Sequence, residues 1–192
     1  CGRNNTRFTV HHCLFAHNGD RNPLLSGGTF DLVNNVIYNW GGGSNAIKLT
    51  DGARANVVGC TVIGGAESGG GGVIWLSDKP PGSRVFVAGN VTPFTPTGRE
   101  NPLAAVQAGR QFPAGKPFQA SIRFPAPAVV SQAAGEAYEL ILKKVGPRIR
   151  DADEQRVIDE VRRRSGHAGR RSEMVNPRDR LGPPAIQKKG AS

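Results

Sequence analysis

The nine residues FDLVNNVIY, residues 30–38, contain the pattern that decides the fold. Three other segments follow the same plan: FTVHHCLFA from Phe8, ANVVGCTVI from Ala55 and RVFVAGNVT from Arg84. Aligning the four places Cys13, Asn35, Cys60 and Asn90 in one column, with separations of 22, 25 and 30 residues. A repeat of drifting length, with turn residues between its strands, is typical of a solenoid whose loops vary in size.

The columns beside this one predict how the repeats pack. The position three residues earlier is apolar in every segment: Val10, Leu32, Val57 and Val87. One coil of this length cannot bury its own apolar side, so the coils must stack, and buried parallel strands read as short apolar runs. This predicts a parallel β-helix. We expect Asn35 and Asn90 to form a ladder in which each carboxamide donates to one coil and accepts from the next, with Cys13 and Cys60 as small apolar substitutes.

Composition divides the chain into four parts. Residues 1–100 hold the predicted coils, and residues 101–130 are rich in proline and aperiodic, as expected of a segment that wraps the outside of the solenoid. Residues 131–166 are predicted to form a helical cap on the solenoid. Residues 167–192 read as a basic disordered tail. The fold class is therefore an all-β solenoid with two C-terminal helices packed on it.

Apolar spacing and capping signals predict the two helices. The first has Ser131 as N-cap and Gly146 as C-cap, with a stripe formed by Tyr138, Ile141, Leu142 and Val145. The second starts at Asp151, with Glu154 three residues later as in a capping box, and its stripe is Val157, Ile158 and Val161. We expect these helices to cover an exposed end or flank of the solenoid.

Charge and cysteine usage exclude several classes of protein. The net charge is +10, but nine Lys and Arg residues and only two acids follow from Arg162 onward, so the folded part is close to neutral. Three cysteines without CxxC spacing predict neither a disulfide framework nor a zinc site. No apolar run is long enough to span a membrane, and the first residues lack the apolar core of a secretory signal. The glycine run at 69–72 lacks the Lys and Ser or Thr of a phosphate loop.

One arginine stands out in the loop HNGDRNPLLSGG, residues 17–28. Pro23 favours an extended conformation at Asn22, and two glycines permit a sharp return before the next strand. Arg21 should therefore project from an ordered corner, as a fixed functional group requires. The plainer alternative is that Arg21 pairs with Asp20 or caps a turn carbonyl, because charged loop residues are common.

The strand–turn–strand order around this loop resembles the pectate lyase family. The segments that carry the resemblance are TVHHCLFAHNGDRNP, TFDLVNNVIYNWG and, near the end, RDADEQRVIDEVRRRSG. The resemblance covers roughly residues 8 to 166. It implies a right-handed parallel β-helix, an extracellular or periplasmic location, and cleavage of polygalacturonate or pectin by β-elimination.

The resemblance also implies roles for individual residues. Arg21 matches the arginine that removes the C5 proton of a galacturonate residue, while Ca²⁺ neutralises the substrate carboxylate. The same loop makes His17, Asn22 and Ser26 the expected substrate-binding residues. Two positions depart from the family pattern. Ser26 stands where a second arginine is common, and the family's calcium ligands lie upstream of a position equivalent to His12. We therefore expect an incomplete chain and assign no metal ligand.

Other residues and functions remain open at the level of sequence. Trp40 and Trp75 lie in or beside apolar runs, which favours core or edge packing over sugar stacking. A non-catalytic β-helix that binds acidic polysaccharide, or serves as a scaffold, competes with the lyase. Nucleic-acid binding through the basic tail ranks last, because no aromatic residues are interleaved there.

Overall fold

Three parallel β-sheets form the body of the protein. The computed structural model describes residues 7–41, 45–69, 72–77, 81–113 and 118–167. Sheet 1 contains, in spatial order, β1 (Arg7–His11), β4 (Thr29–Val33), β7 (Arg54–Val58) and β10 (Arg84–Ala88). Sheet 2 contains β2 (Leu14–Ala16), β5 (Val36–Tyr38) and β8 (Thr61–Ile63). Sheet 3 contains β3 (Leu24–Ser26), β6 (Ile47–Thr50), β9 (Ile74–Leu76) and β11 (Val106–Ala108).

Over three coils the chain visits sheets 1, 2 and 3 in turn, and a fourth coil adds β10 to sheet 1 and β11 to sheet 3, so each strand lies beside its counterpart from the next coil. Every pairing between these strands is parallel. This arrangement is consistent with a solenoid of the parallel β-helix type. Mostly parallel sheets with two C-terminal helices are therefore confirmed.

The strand register reproduces the columns read from the sequence. Val10 pairs with Leu32, Leu32 with Val57, and Val57 with Val87. These side chains point inward, and Leu32 and Val57 are about 1% exposed. With inward side chains from sheets 2 and 3 they form one continuous apolar core. Stacking identical positions is what buries the apolar side of each coil.

The corner between sheets 1 and 2 repeats the same backbone conformation in each coil. Four residues there have a left-handed φ: His12, Asn34, Gly59 and Gly89, at 54°, 52°, 60° and 61°. Glycine and asparagine adopt this region with little strain, which explains three of the four residue types. The column that follows this corner holds the predicted ladder.

The ladder is present, but its bonds run differently from the expected pattern. Asn35 Oδ1 accepts from the Cys13 N–H at 3.0 Å, and its Nδ2 donates to the Val10 carbonyl at 2.9 Å. Asn90 binds the N–H of Cys60 and the carbonyl of Val57, each at 2.8 Å. Both bonds of each carboxamide thus reach back to the same preceding coil. The reason is that each preceding coil presents one free N–H and one free carbonyl at this corner.

Cys60 fills the ladder position between the two asparagines. Its side chain is fully buried, and burial raises the pKa of the thiol to about 11. Burial also raises the pKa of Cys13. Both residues therefore favour the neutral thiol, which is the form suited to packing rather than to nucleophilic chemistry.

The proline-rich segment crosses the outer face of sheet 1. Its first part adds β11 to sheet 3 rather than wrapping the solenoid, and its later part runs beside β10, where Gln119 bridges Val85. It then meets β7, where Asn56 donates to the Phe124 carbonyl at 3.0 Å and accepts from the Phe124 N–H at 2.9 Å. The Asn56 side chain thus supplies hydrogen-bond partners for the Phe124 backbone, which pairs with no neighbouring strand.

An ion pair between the buried Asp31 and the partly exposed Arg123 fixes the same segment to β4. The Arg123 guanidinium donates to both oxygens of Asp31, at 2.9 and 2.8 Å, and Asp31 is only 1% exposed. Further along, Asn34 donates to the Gln132 carbonyl and accepts from the Gln132 N–H, both at 2.9 Å. The segment therefore ends beside the corner that leads into sheet 2.

The two helices are α1 (Ala134–Lys144) and α2 (Ala152–Arg163). The capping box of α2 is confirmed, with Asp151 and Glu154 bonded reciprocally at 2.9 Å. The predicted N-cap of α1 is wrong: Ala133 occupies that position without a side-chain bond. Asn34 holds the Gln132 backbone in an extended path, so the helix starts after that contact. Gly146 follows the end of α1 at φ 82°, as its C-cap role predicts.

The helices cover the outer face of sheet 2. The apolar residues shared between them are Val36, Tyr38, Ala137, Ile141, Leu142, Ile158 and Val161. The helical cap therefore protects a flank of the solenoid. None of the helices in the described ranges is long and apolar enough to cross a membrane. The predicted basic tail, apart from His167, lies outside the described residues.

Replacing Asn90 with alanine tests the ladder. The change leaves the Cys60 N–H and the Val57 carbonyl buried without partners, which lowers the free energy of unfolding by about 3 kcal/mol. Urea unfolding of the Asn90→Ala variant measures this loss. Asn18→Ala is the matched control, because Asn18 is exposed and contributes only its carbonyl, to the Gly41 N–H. Equal unfolding midpoints in the two variants would contradict the ladder's role.

Candidate functional site

The outer face of sheet 3 is the surface toward which the Arg21 loop leads. Leu25, Leu49 and Leu76 form an inward column and are 0% exposed. The strand alternation therefore directs their neighbours outward. The outward column is Leu24, Lys48, Trp75 and Gln107. A cation and an aromatic ring thus stand side by side on a partly exposed surface.

Arg21 lies at the corner that enters this face. Its φ is 63°, and the peptide bond that follows, between Asn22 and Pro23, is cis. The loop is attached to the next coil: the Asn22 N–H donates to the Ala46 carbonyl at 2.6 Å, and the Pro23 carbonyl accepts from the Lys48 N–H at 3.1 Å. Arg21 therefore projects from an ordered corner, as the turn chemistry predicts.

The guanidinium of Arg21 is exposed and contacts an acid. Its Nε lies 2.9 Å from Asp20 Oδ2, and the side chain is 53% exposed. The simple ion pair considered from the sequence is therefore present. It leaves the remaining N–H donors of the fork directed toward solvent, where a carboxylate ligand can reach them.

Asn22 and Ser26 are less accessible than Arg21. Asn22 is 3% exposed, and its Nδ2 has no hydrogen-bond partner among the described residues. Ser26 is 8% exposed, and its hydroxyl donates to Asp51 Oδ2 at 2.5 Å. Direct contact of either residue with a substrate stays a prediction. Their geometry places Asn22 beneath the Arg21 corner and binds Ser26 to the next coil.

His17 lies in the interface between the solenoid and the helical cap. Its Nδ1 is 3.1 Å from Asn39 Nδ2, and its Nε2 is 3.1 Å from Glu160 Oε2. Because the Asn39 amide can only donate, Nδ1 accepts and the proton of the neutral ring is on Nε2, facing the carboxylate. The contact with Glu160 is close but not a well-aligned hydrogen bond. The His17 side chain is only 11% exposed, which leaves little of it accessible to a ligand. Substrate binding by His17 stays a prediction.

His17 belongs to a larger polar group that we call the cap cluster: His17, Asn39, Glu67, Glu160 and His167. Asn39 donates to Glu67 Oε2 at 2.6 Å, and the other oxygen of Glu67 lies 2.6 Å from His167 Nδ1. The cluster joins two coils to the end of α2. Sequence reasoning missed it because its members are far apart in the chain. The available signal was the 22-residue spacing of His17 and Asn39, which equals that of Cys13 and Asn35.

Burial controls the ionisation of His17. The pKa of its imidazole is lowered below the ordinary 6.5, chiefly by burial, although Glu160 and Glu67 oppose the shift. The neutral ring is therefore the form that the folded protein favours. In the present geometry His17 contacts the helical cap and has a structural role.

The two tryptophans have different environments. Trp40 is 3% exposed and packs in the core, as predicted. Trp75 is only partly buried and faces outward beside Lys48. The sequence reasoning treated the run VIWL as one apolar block. Alternation of inward Ile74 and Leu76 would have placed Trp75 on the surface.

Metal binding cannot be assigned to the described residues. They contain no group of three or more His, Cys, Asp or Glu that could hold a metal ion. Asp20 and Asp51, the acids on the Arg21 side of the fold, contact Arg21 and Ser26 instead. The calcium ion implied by the resemblance stays a prediction.

Comparisons with known proteins leave the family open. No family model matches the chain, and no curated protein matches it significantly. The pectate lyase resemblance therefore depends on the residues themselves. These are the paired histidines, the Arg21 turn and the Asn34–Asn35 pair, in that order along the chain.

Acidification should destabilise the fold through His17. Because its pKa is lower when folded, its contribution to stability is complete above about pH 6.5 and is lost as the pH falls through the folded pKa. We expect the melting temperature to fall between about pH 7 and about pH 5, and to fall less steeply in His17→Gln. His11→Gln, at an exposed histidine, is the control. Parallel pH profiles for wild type and His17→Gln would contradict this assignment.

Gly166 tests whether the cap cluster docks the helices. Its φ is 90°, and an added Cβ would lie 2.6 Å from His17 Cε1 and 2.7 Å from Glu160 Oε2. Gly166→Ala should lower the free energy of unfolding by about 1 to 3 kcal/mol. Gly135→Ala, in α1 with nothing within 4 Å, should raise it by about 0.5 to 1 kcal/mol. Urea unfolding measures both. Faster amide exchange in α2 of Gly166→Ala identifies the cap as the affected part.

Proposed function

We propose that the chain is part of a pectate lyase-like polysaccharide lyase. The proposal takes the three-sheet solenoid as a right-handed parallel β-helix, the hand favoured for parallel crossovers. Its substrate is an acidic polysaccharide, polygalacturonate or pectin, cleaved by β-elimination. Such a substrate places the enzyme in the extracellular space or the periplasm.

The observation that carries this proposal is the position of Arg21. A half-exposed guanidinium stands on a corner anchored to the next coil, at the entrance to the outer face of sheet 3. That face presents Lys48 and Trp75, which suit a ligand with carboxylates and sugar rings. Arg21 is the most accessible of the four residues assigned to the site from sequence.

The reaction requires one side chain that binds the uronate carboxylate and another that acts as the base. One cation binds the uronate carboxylate, and Lys48 is available for this role on the same face. The base then removes the proton at C5, the C4–O bond breaks, a C4=C5 double bond forms, and a proton reaches the departing oxygen. For Arg21 to act as the base, it must leave Asp20 and give up its own proton, because guanidinium is normally cationic.

Calcium enters this proposal only as an expectation. A bound Ca²⁺ would neutralise the uronate carboxylate and so acidify the C5 proton. The described residues supply no cluster of acids for it, and we derive no step through the ion.

A non-catalytic role is the second candidate. Ser26 occupies the place where a second arginine is common in the family, and its hydroxyl is held by Asp51. The outer face of sheet 3 would then bind acidic polysaccharide without cleaving it, or the solenoid would serve as a scaffold. Nucleic-acid binding through the basic tail remains the least favoured candidate.

Substitution of Arg21 tests the lyase proposal. We expect the chain to generate ultraviolet absorbance of an unsaturated product from polygalacturonate in the presence of calcium, and Arg21→Ala to reduce the rate by about 100-fold or more. Arg99→Ala, at another exposed arginine, should retain the wild-type rate.

The same samples separate the two candidates. Binding of polygalacturonate by folded protein without any absorbance would contradict catalysis by this chain and favour the non-catalytic role. Equal rates in Arg21→Ala and Arg99→Ala would exclude Arg21 as the base.

A further inference from the structure

Three exposed arginines lie in one column at the start of sheet 1. The register pairs Arg7 with Thr29, Thr29 with Arg54, and Arg54 with Arg84. Neighbouring strands are about 4.8 Å apart, so Arg54 and Arg84 start from adjacent points on the surface and Arg7 stands two strands away. We call Arg7, Arg54 and Arg84 the arginine strip.

The arginine strip is not neutralised by nearby acids. Among the described residues, none of the ion pairs involves these three arginines. Two carboxylates occur on neighbouring positions of the same strands and turns. Asp31 is paired with Arg123, and Asp51 accepts from Ser26.

Direct register of two like charges is unfavourable in a sheet. Opposite positions on adjacent strands repel when both carry the same charge. Among the described residues the repulsion is not relieved by a hydrogen-bond network, because the Arg84 guanidinium makes only a long contact, 3.5 Å to the Gln119 carbonyl. An anion placed between Arg54 and Arg84 would remove the repulsion and satisfy both forks.

An aromatic pocket adjoins one end of the arginine strip. Arg84 lines a pocket of about 420 Å³ together with Phe112 and Phe118. The two rings meet edge to face, with centroids 6.0 Å apart. Apolar walls beside a cation suit a ligand that carries both an acid group and an apolar ring face.

We propose that the arginine strip binds the carboxylates of an acidic polysaccharide, as a second contact surface separate from the outer face of sheet 3. This rests on the proposed function for its choice of polymer. Arg54 follows the turn that leaves sheet 3 at Thr50, the last residue of β6 and part of the outward face. A long polymer can therefore contact both surfaces around one corner.

The structure favours a polysaccharide over a nucleic acid. Thr29 occupies the position between Arg7 and Arg54 in the arginine column. The column therefore contains no aromatic residue on which a series of bases could stack. Phe112 and Phe118 lie in the pocket beside Arg84, and Phe8 and Phe86 lie in the strands of Arg7 and Arg84 but outside the arginine column. The cations follow the strand spacing in a straight row, as the carboxylates of an extended polymer would.

Calorimetric titration of the full chain with a purified oligogalacturonate tests the proposal. The variant Arg54→Gln/Arg84→Gln should bind about tenfold more weakly than wild type, and its affinity should depend less on salt. Arg148→Gln/Arg162→Gln removes the same charge at exposed sites elsewhere and should remain within about twofold of wild type. Because the variant at the strip relieves repulsion, its melting temperature without ligand should be unchanged or higher.

Several results would overturn the proposal. Equal weakening in the two double variants would show that only net charge matters. Tighter binding of single-stranded DNA than of oligogalacturonate, lost in the strip variant, would identify a nucleic-acid surface. If the strip variant unfolds, Arg54→Lys/Arg84→Lys replaces it and must retain most of the binding.

Lyase absorbance recorded in parallel separates this proposal from the proposed function. Wild-type binding that depends on the arginine strip without absorbance contradicts the lyase alone. Absorbance with no effect of the strip variant on affinity contradicts the arginine strip alone.

Discussion

In-register parallel pairing of successive coils is the constraint on which the rest of the structure depends. A coil of 22 to 30 residues has too little apolar surface to form a core by itself. When Val10, Leu32, Val57 and Val87 align, their side chains make one continuous inward column. The same register then decides every outward column, including the row of Lys48 and Trp75 and the arginine strip. The outer surfaces of the sheets are thus determined by residues at equivalent positions of successive coils rather than by local motifs.

Polar contacts determine how the covering elements attach to the solenoid. Asn34 and Asn56 each bind both backbone groups of a residue in the crossing segment, and Arg123 neutralises the buried Asp31. A buried ion pair adds little net stability but strongly disfavours loss of one partner. These contacts therefore define where the segment lies more than how tightly it is held. The apolar contact of α1 and α2 with sheet 2 supplies the larger stabilising area.

The outer faces of the three sheets have different uses. The proline-rich segment covers sheet 1 except at the exposed arginine strip, and the helices cover sheet 2, whereas the described part of sheet 3 keeps a partly exposed column. Arg21 stands at the entrance to that column. The position of His17 in the cap cluster separates it from this face, although it is only four residues from Arg21 in the sequence. Adjacent residues on a solenoid can face different surfaces when a corner lies between them.

The sequence by itself determined the repeat, the inward columns, the ladder positions and the capping box of α2. Each of these depends on local periodicity or on contacts between equivalent positions of neighbouring coils, which alignment of the repeats displays directly. Only the tertiary structure decided the later start of α1, the direction of the ladder bonds, and the burial of Asn22 and Ser26. It also assembled the cap cluster. The physical reason is that these features join residues from different coils or from the cap, and their contacts exist only once the register and the covering segments have brought distant residues together.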